Sequence, residues 1–349
     1  MNYYLLDKNL NYVMVIEDYR SFIWSTRYNV PGDFELYAPA SSKLLKSAKR
    51  GYYIIRDTDR THAMIIENIR VNTDIENGDY ITITGRDLKS ILNRRIIWSQ
   101  TVVNGNVETV CRSLVTENAI SPTIDARAIS RLTLGDTIGI TDTIKTQYTG
   151  DNLGETISAI SQTFGLGYDV LLDIENGLFE FVMLKGENRT YAQNVNPVIV
   201  FSNNFDNLLT TDYEMNSEEY KNVALIAGEG EGTSRKVCSV GSYTDLDRYE
   251  LYVDARDISS NNGEIAYADY IELLADKGRE ELAETVITES IAGEVETNYT
   301  YKVNIDYFIG DIVEVINEYG VSMQPRITEI IECNDENGFT CIPTFETDV

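Results

Sequence analysis

His62 is the single histidine of the chain, so a Ser-His-Asp triad, a Cys-His pair or a histidine-based metal site would have to be built on it. It stands in Asp57-Thr58-Asp59-Arg60-Thr61-His62, a polar stretch between two strand-like runs, and reads as part of an exposed hairpin loop rather than as a ligand. Asp57 and Asp59 have the spacing that opens a calcium loop, yet no glycine follows at the sixth place and no glutamate at the twelfth. Cys111, Cys238, Cys333 and Cys341 include no Cys-x-x-Cys and no neighbouring histidine, which argues against zinc and for buried, reduced thiols. A two-residue hairpin at Asn337-Gly338 would pair Cys333 with Ile342 and turn Cys341 to the opposite face, so a disulfide between them is disfavoured. Gly228-Glu229-Gly230-Glu231-Gly232 lacks the Lys-Ser or Lys-Thr of a phosphate loop, and its glutamates would repel phosphate; it reads as a flexible turn between strands. These residues predict no catalytic group, no metal site and no cofactor, and the chain is expected not to be an enzyme.

The charge narrows the partners. The 349 residues carry 29 Lys and Arg against 56 Asp and Glu, a net charge of −27. That excludes a nucleic-acid clamp, whose affinity comes from cations that displace counterions, and an anionic bilayer would repel the chain likewise. The acid is segregated: residues 1–100 hold 14 basic and 12 acidic side chains, whereas residues 101–349 hold 15 and 44. With 43% hydrophobic residues and 6 prolines the composition is that of a folded protein, and the length implies two to four domains. No apolar run approaches the ~18 residues of a membrane span. Met1 to Leu10 lacks the basic start and apolar core of a signal peptide, so synthesis and folding in a cytoplasm are expected.

Asn-Gly, the strongest short hairpin signal, occurs at Asn77-Gly78, Asn104-Gly105, Asn176-Gly177, Asn262-Gly263 and Asn337-Gly338. Alternation in Phe34 to Ala38 and Tyr80 to Thr84, with the apolar runs Tyr52 to Ile55 and Ala63 to Ile66, predicts that residues 1–97 are mostly β. Short helices are expected at Ser42 to Lys49 and Asp87 to Arg94. From Asn106 the period becomes helical, with Val107, Val110, Cys111, Leu114 and Val115 on one face. Further helices are predicted over Leu153 to Phe164 and Ala268 to Val286, and a hairpin over Tyr168 to Asp173 and Leu178 to Leu184. Gly278 inside the last helix costs about 1 kcal/mol relative to alanine. A weak repeat links the termini. Arg50-Gly51-Tyr52-Tyr53-Ile54-Ile55, Ala63 to Ile69 and Glu76-Asn77-Gly78 are followed far along the chain, in the same order, by Ile309 to Val315, Arg326 to Ile331 and Glu336-Asn337-Gly338.

Three segments together resemble one family. Ser21 to Tyr37, containing Tyr28-Asn29-Val30-Pro31-Gly32-Asp33-Phe34-Glu35-Leu36, resembles the opening motif of the tail-tip hub proteins of long-tailed phages. Its Pro31-Gly32 suits the centre of a type II turn. Thr84 to Ile97, with Arg94-Arg95-Ile96-Ile97, is similar to the end of that family's first domain, and Gly310 to Phe345 resembles its last. The resemblance implies the myophage baseplate-hub fold, also found as the N-terminal module of tail-associated lysins. That fold is mostly β with an α+β middle, two β-barrel tube domains plus one or two α+β domains. The expected boundaries are a first barrel over 1–97, an α+β middle over 98–197, a second barrel over 198–242 and 291–349, and an inserted helical segment over 243–290. Implied too is a homotrimer that presents six barrels to a hexameric tail tube, at the tip or baseplate of a virion tail or of a tail-like bacteriocin. Its partners would be the tail tube, distal tail and tape-measure proteins and downstream receptor-binding or fibre proteins, with DNA only a passing, repelled passenger. Relatives that continue into a peptidase or lysozyme segment lead to the expectation that any wall-degrading activity lies on another polypeptide.

Two other readings compete. The 23 tyrosines suit a receptor- or carbohydrate-binding baseplate component. An acidic glycosidase would need two carboxyls about 5 to 10 Å apart in a cleft, a pairing made by the fold and not by spacing. The acid is expected either to line a channel for DNA or to coat the outer surface.

Overall fold

The computed structural model describes residues 1–74, 78–296 and 300–348. Its first hundred residues give β1 (Tyr3–Leu6), β2 (Tyr12–Ile16), β3 (Ser21–Arg27), β4 (Asp33–Pro39), α1 (Ser42–Ser47), β5 (Tyr53–Arg56), β6 (Asp59–Asn72) and β7 (Tyr80–Asp87). Alternation sets the faces: Phe34, Leu36 and Ala38 turn inward with Phe22, Trp24, Ile81 and Ile83, and Glu35 turns out. The segment after β7 is a tight three-residue-per-turn helix, Leu88–Arg94, capped by the Asp87 carboxylate on the Lys89 amide, with Leu88, Ile91 and Leu92 buried. The Pro31-Gly32 turn differs from expectation. Gly32 does not take the left-handed φ that a type II turn requires; a Cβ there would stand 2.1 Å from the Ser25 carbonyl oxygen, so glycine is needed for close approach of the chain.

The middle of the chain folds as β8 (Thr101–Asn106), α2 (Val107–Val115), β9 (Leu132–Leu134), β10 (Thr143–Tyr148), α3 (Leu153–Thr163), β11 (Gly167–Asp173) and β12 (Leu178–Leu184). α2 buries the predicted face, and the Glu108 carboxylate accepts the amides of Ile138, Gly139 and Ile140 at 2.7, 2.9 and 3.2 Å, fixing the loop that crosses it. This core is continuous with the outer side of β5 and β6, through Ile55, Ala63 and Ile65. Asn104-Gly105 makes no turn. It lies inside β8 and pairs with Lys145 and Ile144 of β10, because the strand it needs arrives some forty residues later.

The remainder comprises β13 (Val200–Ser202), β14 (Asp212–Asn216), β15 (Val223–Ala227), β16 (Val237–Val240), β17 (Glu250–Asp254), α4 (Tyr267–Ala283), β18 (Thr288–Ala292), β19 (Glu314–Ile316), β20 (Ser322–Met323), β21 (Arg326–Asp335) and β22 (Gly338–Asp348). The sequence grouped β15 and β16 with the last β domain. Instead they pair with β17 as one sheet, order β16-β15-β17, packed on α4, so the inserted unit begins before residue 243. The apolar faces of Ala224, Ile226, Leu273 and Leu274 decide it. Gly278 is the contact point, since a Cβ there would lie 2.4 Å from Ile226. Asn262-Gly263 opens no hairpin but a helical turn ahead of α4, and Asn77 lies outside the described residues. Asn176-Gly177 does close the β11–β12 hairpin. The β21–β22 turn is centred on Glu336-Asn337, so Cys333 pairs with Thr340 rather than Ile342; Cys341, opposite Glu332, still lies on the other face, and all four cysteines are free.

One sheet of eleven strands, order β14-β18-β22-β21-β3-β4-β7-β6-β5-β1-β2, runs through both ends of the chain. The stretches aligned in the sequence share its hydrogen bonding. Gly51 and Gly310, at φ +80 and +90, donate their amides to the carbonyls of Ile66 and Ile327 at 2.7 and 2.8 Å, and those residues donate back to Tyr52 and Asp311 at 2.9 Å. Directly afterwards each strand carries a bulge, between Ile66 and Asn68 in β6 and between Ile327 and Glu329 in β21. The run β14-β18-β22-β21 is thus a second copy of β3-β4-β7-β6, and β21 hydrogen-bonds to β3 where the two copies meet.

Candidate functional site

The two copies meet the middle region at a junction built around Tyr28. Its hydroxyl donates to the Leu184 carbonyl at 3.2 Å and accepts the Gly186 amide at 3.0 Å, while the Arg326 guanidinium lies 5.5 Å from its ring centre. Beside it opens a cavity of about 360 Å³, lined by charged groups from all three regions. Arg56 of β5 pairs with Glu332 of β21 and stacks at 4.8 Å on Trp24. Arg189 pairs with Asp311 at 2.6 Å, and Arg27 bridges Asp33 at 2.8 Å and Glu329 at 2.7 Å.

His62 belongs to this junction, and its expected place in an exposed loop is corrected. It is the fourth residue of β6, half-buried, with Nδ1 2.6 Å from Asp59 and Nε2 3.2 Å from Asp169 of β11. Burial opposes its charge, but the carboxylates of Asp169 and Asp59 outweigh burial and hold its pKa up at about 10. Asp169 stays below the usual carboxylate range: burial raises it, and Lys89 and His62 together pull it lower. Burial pushes Asp87 up to about 6 against the pull of Lys89. A group whose folded pKa is raised stabilises below its unfolded value and loses that contribution as pH rises through the folded one. For His62 the window therefore runs from about 6.5 to about 10. Thermal unfolding followed from pH 7 to 10 should show a falling midpoint, and His62→Gln should remove part of that slope; equal slopes would contradict the assignment.

At this junction the Thr61 hydroxyl lies 3.2 Å from His62 Nδ1, but the carboxylates that hold the imidazole charged leave no base for that hydroxyl. Burial pushes the Cys111 and Cys341 thiols up to about 12, away from thiolate chemistry. Glu229 of the glycine-rich segment accepts from Lys236 at 2.7 Å and from the Ser260 amide at 3.0 Å, pinning the β15–β16 hairpin, with no arrangement for phosphate. Among the described residues no three His, Cys, Asp or Glu side chains are grouped to hold a metal ion, and no helix is long and apolar enough to cross a membrane. The residues that matter here, Tyr28, Arg56, Asp169, Arg189 and Glu332, were not singled out by the sequence, although Tyr28 lies inside the Pro-Gly motif.

Away from the junction, two of the strand edges without partners among the described residues belong to the duplicated units. β5 covers only the first half of β6, leaving one edge of Asn68–Asn72 open. β14 pairs with β18 on one side alone, and all five of its residues are exposed.

Comparison with known proteins agrees with this geometry. The chain is similar along 99% of its length to the tail protein from Neisseria meningitidis MC58, covering 97% of that chain at 14% identity and a TM-score of 0.61. It is similar to the 43 kDa tail protein of prophage MuSo2 from Shewanella oneidensis, at 14% identity, 99% and 98% coverage and a TM-score of 0.60. Prophage tail protein gp18 from Listeria monocytogenes EGD-e follows at 13% identity, 100% and 95% coverage and a TM-score of 0.54. No curated protein matches the sequence significantly. A family model described as Siphovirus ReqiPepy6 Gp37-like protein matches residues 2–345. The expected tail-protein character and the mostly β fold are thereby borne out, and the chain belongs to the Siphovirus ReqiPepy6 Gp37-like family, with the fold of phage and prophage tail proteins.

Proposed function

We propose that the chain is the hub at the tip or baseplate of a phage tail, a homotrimer that adapts the hexameric tail tube to the proteins beyond it and surrounds the channel through which DNA leaves. The observation that carries this reading is the duplication. One chain sets two equivalent four-strand units side by side, so three chains offer six to a six-fold tube. Tail tube, distal tail and tape-measure proteins would meet the ring on one side, and receptor-binding or fibre proteins on the other. The outward face of the eight strands carries Asp33, Glu35, Glu67, Asp212, Glu214, Glu329, Asp335 and Glu346 against Arg27, Arg70, Arg86 and Arg326. Facing the channel, this surface keeps the duplex from adhering, since like charge opposes phosphate within about a Debye length of ~10 Å. The role is structural, not enzymatic: purified protein should release no soluble muropeptides from cell walls, and release abolished by one carboxylate substitution would contradict it. Electron microscopy of purified particles should show rings with threefold symmetry and six similar lobes; solid or two-fold particles would refute the hub.

A further inference from the structure

The unit formed by β15, β16, β17 and α4 has an apolar core of its own, and where α4 crosses the middle region the contact is polar and incompletely filled. A cavity of about 390 Å³ lies in this seam, between α4, β10 and the end of α3, within the size range of small-ligand sites. Glu272, Asp276, Arg279 and Glu280 of α4, at i, i+4, i+7 and i+8, share one wall. Lys145 and Thr146 of β10 line it too, and Ile144 and Phe164 supply its apolar part. We propose that this cavity binds a small organic monocation, a primary alkylammonium, whose charge meets the carboxylates of α4 and whose carbon chain lies on Ile144 and Phe164. The proposal goes beyond the hub reading and does not depend on it.

Charge selects the ligand. Three carboxylates and two cations line the cavity, which leaves one negative charge over. Lys145 is committed to Glu272 at 2.8 Å and to Asp269 at 3.2 Å, and Arg279 pairs with Asp276. The surplus falls on Glu280, whose side chain is 8% exposed and whose ion pair with Lys277 is long, at 3.4 Å, and shared with Glu281 at 2.8 Å. Burial holds the carboxyls of Glu280 and Asp276 above the usual range in spite of Lys277 and Arg279, as expected where countercharge is short. A second, independent observation points to an occupant. Thr146 is 1% exposed and lines the cavity, yet its hydroxyl has no partner among the described residues, a desolvation cost that a ligand would relieve. The surplus excludes an anion, and among the described residues no three His, Cys, Asp or Glu side chains are grouped for a metal ion. A primary ammonium brings three donors and no acceptor, which suits carboxylates and an unmatched hydroxyl.

Calorimetric titration of the whole protein with n-butylammonium, at about pH 8 where free carboxyls are ionised, should show one site with a dissociation constant of about 1 mM. Tetramethylammonium, which has the charge but no N–H, should bind about tenfold more weakly. Thr146→Val removes a hydroxyl that no contact of the fold uses, and should weaken butylammonium about tenfold. Asp276→Asn cancels the surplus charge and should weaken it similarly, whereas Lys145→Met doubles the surplus and should tighten binding about fivefold at low salt. Circular dichroism of each variant checks folding, and Thr146→Val decides the matter if a charge variant fails to fold. Nα-acetyl-lysine methylamide separates the two sources of this chemistry: binding equal to butylammonium supports capture of a lysine side chain, and binding of butylammonium alone supports a free amine. No binding of butylammonium at about 20 mM, or tetramethylammonium binding as tightly, would overturn the proposal. Binding that Thr146→Val and Asp276→Asn both leave unchanged would overturn it as well, and in each case the hub reading would stand.

Discussion

Gly310→Ala is expected to destabilise the protein by about 3 kcal/mol or more. Two independent penalties meet at this position. At φ +90 an L side chain is strained whatever the space around it. A Cβ would also stand 2.2 Å from Cε2 of Tyr28. Tyr28 cannot yield, since its hydroxyl is held by Leu184 and Gly186 and its ring also lies close against Gly167. Tyr28→Ala relieves the clash but opens a cavity and frees two backbone groups, so it too should be costly, and the double variant should cost less than the sum. Urea unfolding measures all three. A Gly310→Ala protein within 1 kcal/mol of the parent would show that the junction is not packed as described.

Glu332→Ala should be nearly as damaging, at about 3 to 5 kcal/mol, because it leaves the Arg56 guanidinium buried without its main carboxylate. The Arg56 side chain is 5% exposed, and Asp59 at 3.4 Å is a poor substitute. The last β unit keeps its own apolar core, with no side chains shared with the other cores. The β21–β3 hydrogen bonds and these ion pairs tie it to the rest, so the variant should also be cut sooner by protease between the two copies. Arg56→Met combined with Glu332→Leu should recover most of the loss, since an apolar pair carries no desolvation cost. Equal stability of Glu332→Ala and parent would contradict this.

What was legible in the sequence was local. The α2 face from Val107 to Val115, the Leu153 helix, and the duplicated Gly51 and Gly310 segments all follow from periodicity or from a turn within a few residues. What failed depended on distant chain. His62 reads as a loop residue because Asp169, which defines its environment, lies 107 residues away. Asn104-Gly105 reads as a hairpin because nothing nearby shows that β10 will claim it. β15 and β16 were placed with the wrong neighbours, since two short apolar strands do not say which sheet they join until α4 presents its face. The open edges on β6 and β14 are invisible to any pattern within one strand; an edge is a property of the finished sheet.

The central claim is threefold assembly, and sedimentation equilibrium over a wide concentration range tests it most directly. The account predicts a species of three times the 39.4 kDa chain mass that dissociates, if at all, without a stable dimer; a protein that remains a single chain, or stops at two, would contradict it.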